Sequence, residues 1–216
     1  MGASYRKIAG HLLCLVLAGG LALFASAGAS AAQQRLTERQ IVRALQPAPQ
    51  TRGLSGSSTD HARAAEDQRF IDELRNLPAR SLTLADRDHV ALIAATRPKI
   101  DLEVYFEYNS ASLAYEAVPA LVTLGRALVS PELKGKVFMI GGHTDAKGGD
   151  EYNLDLSKRR AQAVERFLEQ NFDLHAENFF VVGFGKEQLK NKADPFAAEN
   201  RRVQIVTMAD QAVASQ

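Results

Sequence analysis

Apolar positions change their period twice along this chain. From Ile8 to Ala32 no charged residue occurs, and the apolar centre runs from Leu12 to Phe24. From 33 to 99 apolar residues return in short groups at helical spacing. Thr37 and Gln40 form a capping-box pattern ahead of Ile41, Val42 and Leu45, and Pro47 and Pro49 stop that helix. Gln50 to Thr59 is rich in Gly, Ser and Thr and reads as a linker. A second helix is predicted over 61–76, with Phe70, Ile71 and Leu74 on one face and Pro78 beyond it. A third follows Thr83, carries Val90, Leu92 and Ile93, and ends by Pro98. So few apolar residues give no expectation of an independent core, and partial disorder is expected up to about Asp60.

After Pro98 the period drops to two. Ile100, Leu102, Val104, Phe106 and Tyr108 alternate with Asp101, Glu103, Tyr105 and Glu107, which predicts a half-buried strand. A helix over 113–128 follows, with Val118, Leu121, Val122, Leu124 and Leu128 at helical spacing. Pro119 marks either a kink in it or a late start. Val137–Ile140 is a second strand. The strongest helix covers 150–170, with Tyr152, Leu156, Val164, Phe167 and Leu168 as its stripe, and Phe179–Val182 and Val203–Met208 are two further strands. Residues 187–199 form a loop or short helix. The order β-α-β-α-β-β predicts an α+β sandwich, with helices packed on one face of a mixed sheet.

Composition changes this picture at the N-terminus. Arg6 and Lys7 precede the uncharged stretch, and Ala29-Ser30-Ala31 fits the small-residue pattern that signal peptidase reads. Residues 1–32 are therefore expected to be a signal peptide, with a retained membrane anchor as the alternative. Cys14 sits inside the apolar run and not after it, which argues against lipidation. It is the one cysteine among the 216 residues, so disulfide frameworks and Cys-ligated metal sites are excluded from the body. The formal charge of +1 gives no footprint for nucleic acid, and loss of Arg6 and Lys7 with the signal turns it to −1.

The candidate chemistry is concentrated after the second strand. Gly141-Gly142-His143-Thr144-Asp145-Ala146-Lys147-Gly148-Gly149 is a Gly-rich turn that lets backbone N–H groups and polar side chains meet a ligand. Asn153 and Arg160 on the long helix lie two turns apart on a shared face, about 10 Å along the axis. A carboxylate at Asp145 and a guanidinium at Arg160 can read a zwitterion, the first taking an ammonium and the second a carboxylate. The alternative is that the two simply pair with each other or cap the helix.

At these residues the chain resembles a known family. Thr-Asp-x-x-Gly at 144–148, followed by Asn-x-x-Leu-Ser-x-x-Arg-Ala at 153–161, resembles the peptidoglycan-binding OmpA-like domain. Val104–Ala111 looks like that family's first strand and turn, Val182-Gly183-Phe184-Gly185 like its Gly-aromatic-Gly turn, and Asn200-Arg201-Arg202-Val203 like the start of its last strand. The resemblance covers about residues 99–209. It implies non-covalent binding of the diaminopimelate residue of the stem peptide, with Asp145 on the ammonium and Arg160 on the carboxylate. Asn153 and the backbone of Gly142–Thr144 are implied as further contacts, Asn109 and Ser110 as facing the site, and Arg201 or Arg202 as added charge. Lys186 departs from the family, which commonly carries an acid there.

The expected organisation is a signal peptide at 1–32, a helical and partly disordered region at 33–98, the OmpA-like domain at 99–209 and a flexible tail at 210–216. The expected function is non-catalytic anchoring of an envelope protein to the wall, in the periplasm of a Gram-negative-type bacterium, by the wall or the outer membrane. The alternative is an envelope interaction protein that meets its partner through 33–98. No cofactor is implied. An enzyme has little to stand on: the histidines at 11, 61, 89, 143 and 175 form no HExxH, and no GxSxG elbow occurs. His143 beside Asp145 reads as a loop-shaper before it reads as a metal ligand, and Glu187 and Glu199 are scattered surface acids. Residues 33–99 cannot hold the strands of a membrane barrel. No Asp or Glu precedes Glu38, which leaves no proton path of the flagellar-stator kind.

Overall fold

Thr37 does what its spacing to Gln40 predicts. Its hydroxyl accepts from the Gln40 amide at 3.4 Å while the Gln40 side chain accepts from the Thr37 amide at 2.8 Å, and helix α1 (Glu38–Leu45) starts there. Thr83 and Asp86 repeat the device at the head of α3 (Leu84–Thr96), with α2 (Ser58–Asn76) before it. The structure is a computed structural model and describes residues 36–47, 58–76, 82–107 and 109–210. The expected signal peptide, most of the linker at 50–59, Tyr108 and all but the first residue of the tail lie outside the described residues. Among the described residues no helix is long and apolar enough to cross a membrane.

Four strands follow: β1 (Lys99–Leu102), β2 (Lys136–His143), β3 (Phe179–Gly185) and β4 (Val203–Asp210), in the spatial order β1-β4-β2-β3. β4 pairs antiparallel with both β1 and β2, while β2 and β3 run parallel. A parallel pair needs a crossover, and helix α5 (Asp150–Asn171) supplies it. Helix α4 (Val118–Leu128) joins β1 to β2. The chain thus realises the mixed sheet and the β-α-β-α-β-β order read from its periods.

Alternation along the strands sends residues to two cores. Phe138, Ile140, Val181, Val203 and Ile205 face α4 and α5, meeting Leu121, Leu124, Leu128, Val164 and Leu168. Met139, Phe180, Val182, Phe184, Val206 and Met208 face the opposite way, where Ile71 and Leu74 of α2 and Val90 and Ile93 of α3 cover them. The helices between the strands keep to one face as expected, and α2 and α3 add a cover on the other.

Two local expectations meet a different outcome, and a third is decided between its two alternatives. Residues 38–45 do not share in disorder: Ile41 and Leu45 are fully buried against α4 and the sheet, and the Thr207 hydroxyl donates to the Leu45 carbonyl at 2.8 Å. Burying two such side chains is worth roughly 1.5–3 kcal/mol each, enough to hold a helix that could not stand alone. The first strand stops at Leu102 because its partner runs out. Leu102 pairs with Val203, where β4 begins, so Val104 is buried without a ladder and Phe106 makes only an isolated bridge to Leu113. Pro119 marks a late start and not a kink. A single 3-10 turn at Tyr115–Ala117 precedes α4, and the proline sits in the helix's first turn, where its missing N–H costs nothing.

Candidate functional site

The parallel strands β2 and β3 end side by side, and the loop 144–149 leaves β2 there to enter α5. That loop is tied down on every side. The Thr144 amide donates to the Gly185 carbonyl at 2.8 Å, Ala146 to Pro195 at 3.0 Å, and the buried Asn153 side chain to Lys147 at 2.9 Å. Lys186 reaches across to Asp150 at 2.8 Å and to the Gly148 carbonyl at 3.0 Å. Its departure from the expected acid therefore closes the loop's open side. Gly148 holds a φ of +96°, which a side chain would resist.

Asp145 stands on this loop, mostly covered, with one carboxylate oxygen accepting from Arg201 at 2.9 Å and the other from the Lys147 amide at 3.1 Å. Arg160 sits two turns into α5. Its Nε donates to the Ser110 carbonyl at 3.1 Å, and its guanidinium lies 4.8 Å from the centre of the Phe106 ring. Burial draws its pKa below the ordinary value, and the charges of Arg201 and Asp145 both act on it in opposite senses. It stays cationic, since guanidinium is not deprotonated in proteins. Asp145 and Arg160 do not pair with each other; each is held by a different element.

Asn109 and Ser110 form the far wall. Asn109 adopts a left-handed φ of +52°, which asparagine tolerates, and its side-chain oxygen accepts from the Tyr152 hydroxyl. The Ser110 hydroxyl accepts from the Ser112 amide at 2.9 Å, which closes the turn that offers its carbonyl to Arg160. Tyr152 is 45% exposed, so it belongs to this wall and not to the apolar stripe of α5. The helical period places it there correctly, but the sheet does not extend under the first turn.

Two expected contacts are relocated. Gly142 is part of β2, and a Cβ on it would come within 2.0 Å of the Ser157 carbonyl oxygen. Glycine at this position lets α5 lie against the sheet. The His143 and Thr144 amides are also engaged within the fold, by Arg202 and Gly185. Arg202 turns away from Asp145: its Nε donates to Asp101 at 3.3 Å and its Nη2 to the Gln188 carbonyl at 3.1 Å. Adjacent residues entering a strand face opposite ways, so Arg201 is the one that meets Asp145.

His143 lies on the Arg202 side, buried and stacked on Phe184 at 5.1 Å. Burial, and then the charge of Arg202, lower its pKa to about 3, so it is neutral at pH 7. Its ring nitrogens, the Thr144 hydroxyl and the Arg202 Nη1 are buried with no hydrogen-bond partner among the described residues. No cluster of His, Cys, Asp or Glu with metal-holding geometry occurs among the described residues.

Sequence reasoning passed over Ser157. Its hydroxyl donates to the Leu154 carbonyl at 2.8 Å and accepts from the Gly185 amide at 2.9 Å, pinning α5 to the end of β3. Its place in the Asn-x-x-Leu-Ser pattern was the available signal.

Comparison with known proteins places these features. The family model described as the OmpA family matches residues 105–203. Peptidoglycan-associated lipoprotein of Pseudomonas aeruginosa is 36% identical over 103 residues, which are 47% of this chain and 59% of that protein. Outer-membrane lipoprotein YfiB of the same organism is 34% identical over 110 residues, covering 50% of this chain and 64% of that one. The chain thus spans less than two thirds of the length of these relatives. The crystal structure of the peptidoglycan-associated lipoprotein from Burkholderia pseudomallei aligns with a TM-score of 0.40 and 30% identity, over 53% of this chain and 92% of that one. The matched span holds α4, α5, β2, β3 and every residue of the Asp145–Arg160 site: this chain carries an OmpA-like domain.

Proposed function

We propose that this domain binds peptidoglycan without catalysis and anchors the protein to the cell wall in a Gram-negative-type envelope, on the periplasmic side, by the wall or the outer membrane. The ligand is the diaminopimelate residue of the stem peptide. Its amino-acid head offers an ammonium and a carboxylate, and Asp145 and Arg160 offer the complementary pair. One observation carries the reading: the two charged side chains stand at one end of the sheet, held by separate elements, and neither neutralises the other. Two side chains that paired would have to break apart before binding; these are already placed.

Arg201 belongs to the same site. It holds Asp145 in the ligand's absence, and an incoming ammonium shares or takes that carboxylate, which frees Arg201 for a carboxylate of the peptide. Asn153 and Lys186 shape the loop, and Asn109 and Ser110 set the wall that aims Arg160. Residues 33–98 are better read as part of this anchor than as a separate partner-binding module, since Ile41, Leu45, Ile71, Leu74, Val90 and Ile93 are engaged by the domain's own sheet.

Co-sedimentation with purified diaminopimelate-type peptidoglycan tests the proposal, with Asp145→Ala and Arg160→Ala beside the wild type. Each change removes a charge-assisted contact of roughly 1.5–3 kcal/mol, so binding should fall at least about tenfold while circular dichroism stays native. Wild-type binding that survives both substitutions would place the site elsewhere. A wild type that stays in the supernatant would leave the fold without this function.

A further inference from the structure

A groove of about 420 Å³ opens on the outer side of the 109–113 turn, directly behind the residue that aims Arg160. Ser110, Leu113, Arg159, Ala163, Arg166 and Phe167 line it. Ser110 therefore faces two ways: its carbonyl receives Arg160, and the residue forms a wall of the groove. Arg159 and Arg166 are seven residues apart on α5, so they flank the groove about 10 Å apart along the helix axis. Arg159 is held by Asp155 through its Nε at 2.7 Å, in a pair that is exposed on both sides. Arg166 makes no ion pair with a described residue.

We infer that this groove takes the free C-terminal carboxylate of the stem peptide, carried by the alanine that follows diaminopimelate. The inference rests on the peptidoglycan reading of the Asp145–Arg160 site. The chemistry of the groove fits a small residue that ends in an acid: Leu113, Ala163 and Phe167 offer an apolar wall for a methyl group, and two guanidinium groups offer forks for a carboxylate. The distance fits as well. The alanine carboxylate lies three methylenes and one residue beyond the zwitterionic head, about 10 Å when extended, and the groove begins at the turn that already contacts Arg160. The outer surface of α5 thus becomes a specificity element. In a cross-linked stem that alanine carboxyl is an amide, with no charge to offer, so the protein would prefer stems whose alanine end is free.

Isothermal titration calorimetry with the full chain tests this, using two synthetic tetrapeptides of the sequence L-alanyl-γ-D-glutamyl-diaminopimelyl-D-alanine, one ending in a free acid and one in an amide. The acid should bind about fivefold more tightly than the amide, as expected for a partly exposed charge pair. The Arg159→Gln/Arg166→Gln double variant should bind both peptides alike, with the affinity the wild type shows for the amide. Equal affinity of the wild type for acid and amide, or a preference that survives in the double variant, would overturn the inference and leave the Asp145–Arg160 reading intact. If neither peptide binds the wild type, the reading of the site falls and this one falls with it.

Discussion

Two carboxylates stand at the same end of the sheet, each with an arginine from the pair 201–202, and they have different fates. Asp101 receives Arg202 at 3.3 Å, the Gln204 side chain at 2.8 Å and Lys190 at 2.9 Å. Burial alone would raise its pKa, but the hydrogen bonds from Lys190 and Gln204 and the charge of Arg202 outweigh this and hold it below the usual carboxylate range. Arg202 itself is only 9% exposed. Asp145 receives Arg201 and one backbone amide, and the Arg201 side chain is 48% exposed. A carboxylate and an arginine in contact therefore say little by themselves. The pair whose arginine is covered is part of the fold, and the pair whose arginine is exposed can exchange one partner for another.

Substitutions should separate the two. Asp101→Ala strands a buried guanidinium, and urea unfolding should show a loss of about 3–5 kcal/mol. Acid acts on the same side of the sheet through His143. Between pH 6.5 and about 3 the unfolded chain binds a proton that the folded chain refuses, so stability falls as pH falls, by up to about 1.4 kcal/mol per pH unit. His143→Leu should remove that share of the slope, about 2 to 2.5 kcal/mol between pH 6 and pH 4, and unchanged pH dependence would contradict a buried neutral imidazole. Asp145→Asn should cost about 2 kcal/mol of peptidoglycan binding but under about 1 kcal/mol of stability, since a half-exposed ion pair holds little. Arg201→Gln should change the unfolding midpoint least, by about 0.5 kcal/mol or less. An Asp145 variant that unfolds as readily as the Asp101 one would erase the distinction.

Much of this was legible in the sequence where the signal was local. The Thr37–Gln40 cap, the period of α5 and the alternation that begins at Ile100 depend on near neighbours, and each marks an element of the structure, the last of them only as far as Leu102. The end of β1 was not legible, because it is decided by where β4 begins a hundred residues later. The same holds for Arg201 and Arg202: the dipeptide is plain, but which arginine faces Asp145 follows from the strand register. Gly142 misled for a related reason. A glycine beside a loop suggests access for a ligand, and only the course of α5 shows that the space is taken by Ser157. The second helix carries little amphipathic contrast, so its apolar side gave no hint of which sheet face it would cover.

The chain clasps the sheet from both sides before the sheet itself is complete. α1 lies against one face through Ile41, Leu45 and the Thr207–Leu45 bond, and α2 and α3 lie against the other. That arrangement sets a load path. Tension applied at Leu36 enters β4 through α1, and β4 is an inner strand that pairs with both β1 and β2. Force entering there would be shared along the ladder, and it would meet the eight-residue helix α1 before the end of the sheet that carries Asp145.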